Sequence, residues 1–250
     1  IMSSDWSSDV CSSDLIDDLE DIEDEIIIGM NLDSKSLFSP YRLNIETGEA
    51  VKLAENKNMF EPISGWMTDH EGKLRIAAKV TDGTNTNILY RASEDEEFKT
   101  VYTTDFKETL SPLFFDFDNG SAVYAVSNIG RDKTAIVKFD LETGQELEVL
   151  FSHPEVDVSN LSYSRKRKVL TAITYTTDKR QREFLDEESE AIYQKLQAEL
   201  PNYEVALTST TKDEDKFLVR TYSDRSLGSY YFYDKNTEEL KKLVFHVMVE

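Results

Sequence analysis

A hairpin motif that returns at a fixed interval constrains this 250-residue chain more than any other feature of its sequence. Each copy has an apolar strand, a polar turn and a second strand, as an antiparallel hairpin does. The copies begin at Tyr41, Leu89, Val137 and Tyr231. Their turns end at positions 48, 96, 144 and 238, so the intervals are 48, 48 and 94 residues, or one, one and two repeats. A period of this length indicates a repeat architecture.

The residue types in these turns favour tight chain reversals. Asn44, Asp140 and Asp234 stand at equivalent places, and their side-chain oxygens can accept hydrogen bonds from nearby backbone N–H groups. Gly48 and Gly144 suit a backbone position with positive φ. The turns therefore separate short strands at regular places along the chain.

A second hairpin keeps the same period. Its pattern is clear at 66–78 and 113–125 and weaker at 161–172 and 207–219, with turns near 71, 119, 166 and 214. Each repeat thus holds two hairpins, or four strands, in about 47 residues, which is typical of one blade of a β-propeller. An α/β repeat would need a helical segment in every unit, and these units lack one.

We therefore predict an all-β fold, a partial β-propeller of about four to five four-stranded antiparallel blades over residues 26–243. Ile26–Leu53 supplies only the later part of a first blade, and four further units follow. Such an open arc leaves unpaired sheet edges, so we expect a fragment of a longer chain that aggregates or oligomerises.

One helix interrupts the pattern near residues 186–200, in place of the last hairpin of the fourth unit. Ile192, Leu196 and Leu200 recur at helical spacing, Asp186 is a suitable N-cap, and Pro201 ends the run. We interpret the helix as a packing element that covers a blade edge, and the alternative is a lid or docking surface.

The termini differ from the rest of the chain in composition. The first 25 residues hold ten acids and no base, against 39 acids and 28 bases in the remainder. Residues 3–15 repeat Ser-Ser-Asp without an apolar period, so we expect residues 1–25 to be a disordered, non-native acidic segment. Residues 244–250 carry no further blade signal and are expected to be a non-native or truncated tail. The compartment, periplasm or cytoplasm, stays open.

Composition excludes several classes of function. A net charge of −21 argues against nucleic-acid binding, which needs clustered Lys and Arg. The longest apolar runs span only a few residues, so no membrane span is predicted. A single cysteine, Cys11, rules out an internal disulfide framework.

A search for chemistry finds no catalytic residue, no metal ligand set and no cofactor motif. No Gly-x-Ser-x-Gly nucleophile elbow occurs, and His70, His153 and His246 are interpreted as surface residues. Asp116–Gly120 has the acids of a calcium loop but is too tight and lacks the distal Glu, so we predict a β-turn. The basic run Arg165–Lys168 is interpreted as a solvated turn.

Several segments resemble the propeller of bacterial prolyl oligopeptidase-family serine peptidases, in particular the dipeptidyl aminopeptidase/acylaminoacyl peptidase type. The resemblance runs from about Ile26 to Leu243 and depends on the order and spacing of the motifs. They are IGMN at 28–31, YRLNIETGE at 41–49, WMTDHEGKLR at 66–75, TYTTD at 174–178 with FLD at 184–186, and SYYFYD at 229–234. The helix of the fourth unit also has a counterpart in that family.

The resemblance implies a second domain, an α/β-hydrolase with a Ser-Asp-His triad, as the partner of this propeller in the full-length chain. None of that domain is in this sequence, so no catalytic residue is carried over and this segment alone is predicted to be inactive. The implied role is to cap the active site and to admit only short peptides. The alternative is a stand-alone β-propeller that serves as a protein-binding scaffold.

Overall fold

The computed structural model describes residues 14–245 as five antiparallel sheets and one helix. The chain separates into two compact units, one ending at Ser159 and the other beginning at Asn160. Each sheet is a meander in which consecutive strands are hydrogen-bonded neighbours. The prediction of an all-β chain of the β-propeller class, with about four to five blades and one helix, is confirmed.

The first unit contains three four-stranded sheets. The strands of the first sheet are β1 (Asp14–Asp17), β2 (Glu25–Met30), β3 (Ser39–Asn44) and β4 (Ala50–Lys52). The second sheet consists of β5 (Ile63–Thr68), β6 (Leu74–Thr81), β7 (Asn85–Tyr90) and β8 (Lys99–Thr104). The third consists of β9 (Leu110–Phe115), β10 (Ala122–Ser127), β11 (Ala135–Asp140) and β12 (Gln145–Ser152).

The second unit contains the fourth and fifth sheets. The fourth has three strands, β13 (Val158–Ser164, which begins at the end of the first unit), β14 (Val169–Thr176) and β15 (Arg180–Phe184), followed by the helix α1 (Glu187–Glu199). The fifth has four, β16 (Glu204–Thr210), β17 (Lys216–Tyr222), β18 (Ser229–Asp234) and β19 (Glu239–Phe245). The 13-residue α1, the one helix in residues 14–245, is not long enough to cross a membrane.

The first blade is more complete than expected. We predicted only its later part and disorder through residue 25, but β1 pairs with β2 in residues 14–17 and gives the sheet four strands. The Thr68 hydroxyl also donates a hydrogen bond to Asp17 and ties β1 to the second sheet. Residues 1–13 of the acidic segment, which include Cys11, lie outside the described residues, as does His246.

The helix replaces less of the fourth blade than predicted. The sequence pattern placed it where the whole last hairpin would be, yet the third strand, β15, forms and pairs with β14 over five residue positions. Only the fourth strand is replaced by α1. Asp186 is the N-cap as predicted, and its carboxylate accepts a hydrogen bond from the Ser189 amide at 2.9 Å.

The predicted turn chemistry is confirmed at the three equivalent polar positions. The side-chain oxygens of Asn44, Asp140 and Asp234 each accept hydrogen bonds from the amides two and three residues ahead, at 2.7–3.3 Å. Gly48 and Gly144 have φ values of 73° and 68°. These local bonds satisfy the backbone where the ladder reverses.

Each unit has its own hydrophobic core. In the second unit the fully buried Leu196 of α1 packs with Val205, Phe217, Val219 and Tyr233 of the fifth sheet. Burying one such aliphatic side chain contributes about 2 kcal/mol, so the helix covers an apolar sheet face that would otherwise meet water. In the first unit, one cluster joins the second and third sheets through Ile76, Ile88, Tyr90, Leu110, Phe115, Val123, Val137, Phe139 and Leu141.

Candidate functional site

The meander topology gives every sheet two different ends. The first and third strand connections lie at one end, which we call the turn end. The second connection and, in the four-stranded sheets, the link to the next sheet lie at the other, which we call the loop end. The turn end has short reversals such as 69–73, whereas the loop end has longer segments such as 31–38 and 53–62.

At the turn end of the first unit, Arg75 is fully engaged inside the protein. Its guanidinium donates to the Asp69 carboxylate at 2.7 Å, to the Tyr90 hydroxyl at 2.8 Å and to the Arg91 carbonyl at 2.8 Å. The side chains of Arg75 and Asp69 are each only 14% exposed. Since its partners are internal groups, Arg75 stabilises this end rather than presenting a free cation.

The two histidines in the described residues also hold the backbone. The His70 Nε2–H donates to the Phe115 carbonyl at 2.7 Å, and its ring stacks on Phe117 with 4.5 Å between centroids. The His153 Nδ1 accepts from the amides of Glu155 and Val156 at 3.1 and 3.2 Å. The His70 ring is thus bound to the backbone of β9, and the His153 ring is bound to its own loop.

The acidic run at 116–120 forms the predicted β-turn. The Asp116 carboxylate accepts from the amides of Asp118 and Asn119 and lies 2.8 Å from the Lys138 ammonium. Burial raises the pKa of Asp116, but hydrogen bonds from Lys138, Tyr124 and the two amides outweigh it and hold the pKa below the ordinary value. In residues 14–245 no group of three His, Cys, Asp or Glu side chains could hold a metal ion.

At the turn end of the second unit, the interpretation of Arg165–Lys168 as a solvated turn is wrong for Arg167. The Arg167 guanidinium forms a two-pronged pair with the Asp186 carboxylate at 2.7 and 2.8 Å. These bonds hold the pKa of Asp186 well below its ordinary value, against the burial that would raise it. The basic turn therefore anchors the start of α1, a role that needs the fold to bring two segments together.

At the loop end of the first unit, four large apolar side chains face solvent. Leu32 is 65% exposed, Met59 66%, Phe60 92% and Phe106 75%. Leu32 follows β2, whereas the other three lie in links between sheets. Ile22 and Ile45 at the turn end are less exposed, at 38% and 55%, so the most exposed apolar side chains of the connections lie at the loop end, as is typical of interaction surfaces. We call these four residues the apolar tips.

At the loop end of the second unit, two arginines lie near the ring of one tyrosine. The guanidinium carbons of Arg180 and Arg220 lie 5.7 and 6.0 Å from the centre of the Tyr222 ring. The Tyr222 hydroxyl is buried and has no hydrogen-bond partner in the described part of the chain. Sequence reasoning did not single out these three residues, because they are far apart in the chain and carry no motif.

The geometry defines a β-propeller chain whose turn ends are internally bonded and whose loop ends carry exposed apolar and cationic groups. Known proteins show where this fold recurs. Prolyl oligopeptidase B from Galerina marginata, bound to a 35mer hydrolysis and macrocyclization substrate, aligns with a TM-score of 0.57 at 12% identity over 90% of this chain. Its apo structure aligns with a TM-score of 0.55 at 12% identity over 91%. At this identity the likeness concerns the fold.

A curated relative agrees with that likeness. Dipeptidyl peptidase family member 6 from Caenorhabditis elegans is 26% identical over 164 residues, which is 61% of this chain. No family profile matches the chain. The chain spans 21% of the length of the nematode protein and 33% of the length of prolyl oligopeptidase B in either structure. The similarity thus involves one part of each larger protein.

Proposed function

We propose that this chain is the substrate-gating propeller of a prolyl oligopeptidase-family serine peptidase of the bacterial dipeptidyl aminopeptidase/acylaminoacyl type. The observation that carries the proposal is the likeness of 90% of this chain to one third of prolyl oligopeptidase B. The 26% identity to a dipeptidyl peptidase family member supports it from sequence. The partner in this proposal is an α/β-hydrolase domain of the same full-length chain, and its substrates are short peptides.

The proposed mechanism is exclusion. A propeller held over an active site admits an extended peptide and rejects a folded chain, and it limits the bulk water that reaches the reacting groups. The internal bonds of Arg75 and Arg167 at the turn ends of the second and fourth sheets stiffen those two blades for that task. This chain contributes no nucleophile in the proposal, since its sequence has no Gly-x-Ser-x-Gly elbow.

The loop end of the first unit is the proposed contact for the hydrolase domain. The apolar tips, including Phe60 at 92% exposure, supply apolar area for that contact. In the alternative function, a protein-binding scaffold, the same tips would contact a separate protein.

The first test is the activity of residues 1–250 by themselves. We expect no cleavage of dipeptidyl or acylaminoacyl chromogenic substrates, because the chain lacks a nucleophile elbow. Turnover that a serine-reactive phosphonate abolishes would overturn the assignment of catalysis to another domain.

The second test uses the complete reading frame that contains this chain. We expect it to encode a Gly-x-Ser-x-Gly segment and to yield a peptidase that cleaves short peptides. The same peptidase should leave intact a folded protein that contains the cleaved sequence. A frame without that segment would exclude the peptidase and favour the scaffold.

A further inference from the structure

Two arginines in the second unit have no acidic partner among the described residues. Arg180 begins β15 and Arg220 lies in β17, and among the described residues neither has a carboxylate oxygen within 4.0 Å. By contrast, Arg75, Arg131 and Arg167 all pair with acids at 2.5–2.7 Å. Arg91 and Arg182 also lack a carboxylate partner, but their guanidiniums donate to backbone carbonyls, whereas those of Arg180 and Arg220 make no hydrogen bond within the described residues.

The residue between them has an unmet hydrogen bond. Tyr222 ends β17, and both guanidinium carbons lie within 6.0 Å of the centre of its ring. Its buried hydroxyl is one of only two buried side-chain polar atoms without a partner in residues 14–243. An unsatisfied buried hydroxyl is costly, so native proteins seldom retain one without a role.

The surroundings add a third cation and one acid. Arg182 lies over the Tyr193 ring at 4.5 Å and donates to the Tyr193 hydroxyl at 2.8 Å and to the Val205 carbonyl at 3.0 Å. Glu204 is paired in register with Tyr222 on the adjacent strand. Arg182 follows Arg180 by two positions on β15 and so points to the same face of that strand. The cluster is therefore net positive.

We propose that Arg180, Tyr222 and Arg220 bind the terminal carboxylate of a peptide. Guanidinium groups match the planar carboxylate and give charge-assisted hydrogen bonds. Its ring offers an apolar surface for the adjoining peptide group. Arg180 follows the second connection of its sheet and Tyr222 precedes that of the next, so both lie at loop ends.

This inference names a substrate class, peptides with a free C-terminus. It rests on the proposed function only in calling the peptide a substrate. The binding itself belongs to the 250-residue chain and can be measured without any peptidase activity.

Calorimetric titration with acetyl-trialanine tests the site. The free-acid peptide is expected to bind at least about tenfold more tightly than its C-terminal amide, because the amide lacks the charge-assisted bonds. Arg180→Gln and Arg220→Gln should each weaken the acid by about tenfold. Lys99→Gln, which removes the same charge from an exposed position on β8, should leave affinity unchanged.

Tyr222→Phe separates ligand binding from folding. Loss of an unsatisfied buried hydroxyl should raise the melting temperature of the free chain, whereas the affinity for the acid should stay within about twofold, because the ring that faces the ligand is retained. Equal affinity for acid and amide, unchanged affinity in both arginine variants, or tighter binding of inorganic phosphate would each overturn the proposal. If the chain binds the carboxylate but the protein encoded by the full frame has no peptidase activity, the site is sustained and the proposed function is overturned. If that protein is a peptidase but the chain does not bind the carboxylate, the proposed function is sustained and the site is overturned.

Discussion

At the scale of single residues, two glycines show how similar backbone geometry can carry different constraints. Gly83 and Gly228 have φ values of 73° and 83°, which a residue with a side chain rarely adopts. A Cβ on Gly83 would meet nothing within 4 Å. A Cβ on Gly228 would lie 1.5 Å from the Thr221 carbonyl oxygen, so this glycine is required by a close backbone approach as well as by φ.

We predict that Gly228→Ala destabilises the protein by more than about 3 kcal/mol, because the backbone at Thr221 has to move as well. Gly83→Ala, the matched control, should cost only about 1 kcal/mol from its φ. Urea unfolding followed by circular dichroism measures both. Equal losses in the two variants would show that the close approach at Gly228 does not matter.

At the scale of elements, α1 depends on an ion pair whose basic partner comes from a distant turn of the chain. Arg167 comes from the turn after β13, and Asp186 caps the helix. The Lys235 ammonium, from the turn after β18, hydrogen-bonds Glu188 in the first helical turn. Three segments thus meet at the helix N-terminus, where acids are also favoured by the helix dipole. The helix is positioned by these contacts together with its buried Leu196.

The sign of the pH dependence follows from Asp186. Because its pKa is lowered on folding from an ordinary 3.8, its stabilisation is fully present above that value and is lost as the pH falls below it. We predict that Asp186→Asn costs about 1–3 kcal/mol at pH 7 and that the difference from wild type shrinks below about pH 4. Unfolding free energies over pH 3–7 measure this.

Glu187→Gln is the control for that experiment, since Glu187 is an exposed acid in the same helical turn. It should change stability by less than about 0.5 kcal/mol at every pH. A loss for Asp186→Asn that stays constant down to pH 3 would contradict the assignment to the ionised carboxylate.

At the scale of the whole molecule, the apolar tips are the most exposed feature of the first unit. Phe60 and Phe106 are 92% and 75% exposed, although the chain has buried aromatic residues such as Phe115 and Phe139 within its sheets. Exposure of such side chains to water favours self-association, because contact between the tips of two molecules removes apolar area from water.

We predict that Phe60→Ser combined with Phe106→Ser reduces self-association of the chain and changes the free energy of unfolding by less than about 1 kcal/mol. Val51→Ser with Leu147→Ser is the control. These side chains are 54% and 53% exposed but lie on β4 and β12, the fourth strands of their sheets, and not at the loop end. Sedimentation velocity and urea unfolding supply the two measurements. An equal reduction in the control would remove the special role of the tips.

Local chemistry explains which elements were predictable. Asn44, Asp140 and Asp234 form their turns with amides two and three residues away, so the nearby sequence contains the whole interaction. The strand β1 was missed because Asp14–Asp17 has little apolar pattern, and its pairing with β2 supplies the missing stabilisation. Likewise β15 was missed because its sequence is polar and its partner is β14.

The candidate site could not be predicted in the same way. Arg180 and Tyr222 are 42 positions apart, and nothing in either neighbourhood marks them as contacts. Arg167 looked like a solvated cation because its carboxylate partner lies 19 residues further along the chain. Such pairs become visible only when sheets bring distant strands together.

The repeating hairpins, the Asx turns and the helix cap were determined by the sequence itself, since each depends on neighbours within a few residues. The tertiary structure decided how many strands the first and fourth blades contain, which cations lack an acid, and which tyrosine hydroxyl is left unpaired. The physical reason is range: turn and cap bonds are local, whereas burial and ion pairing depend on every segment that the fold places nearby.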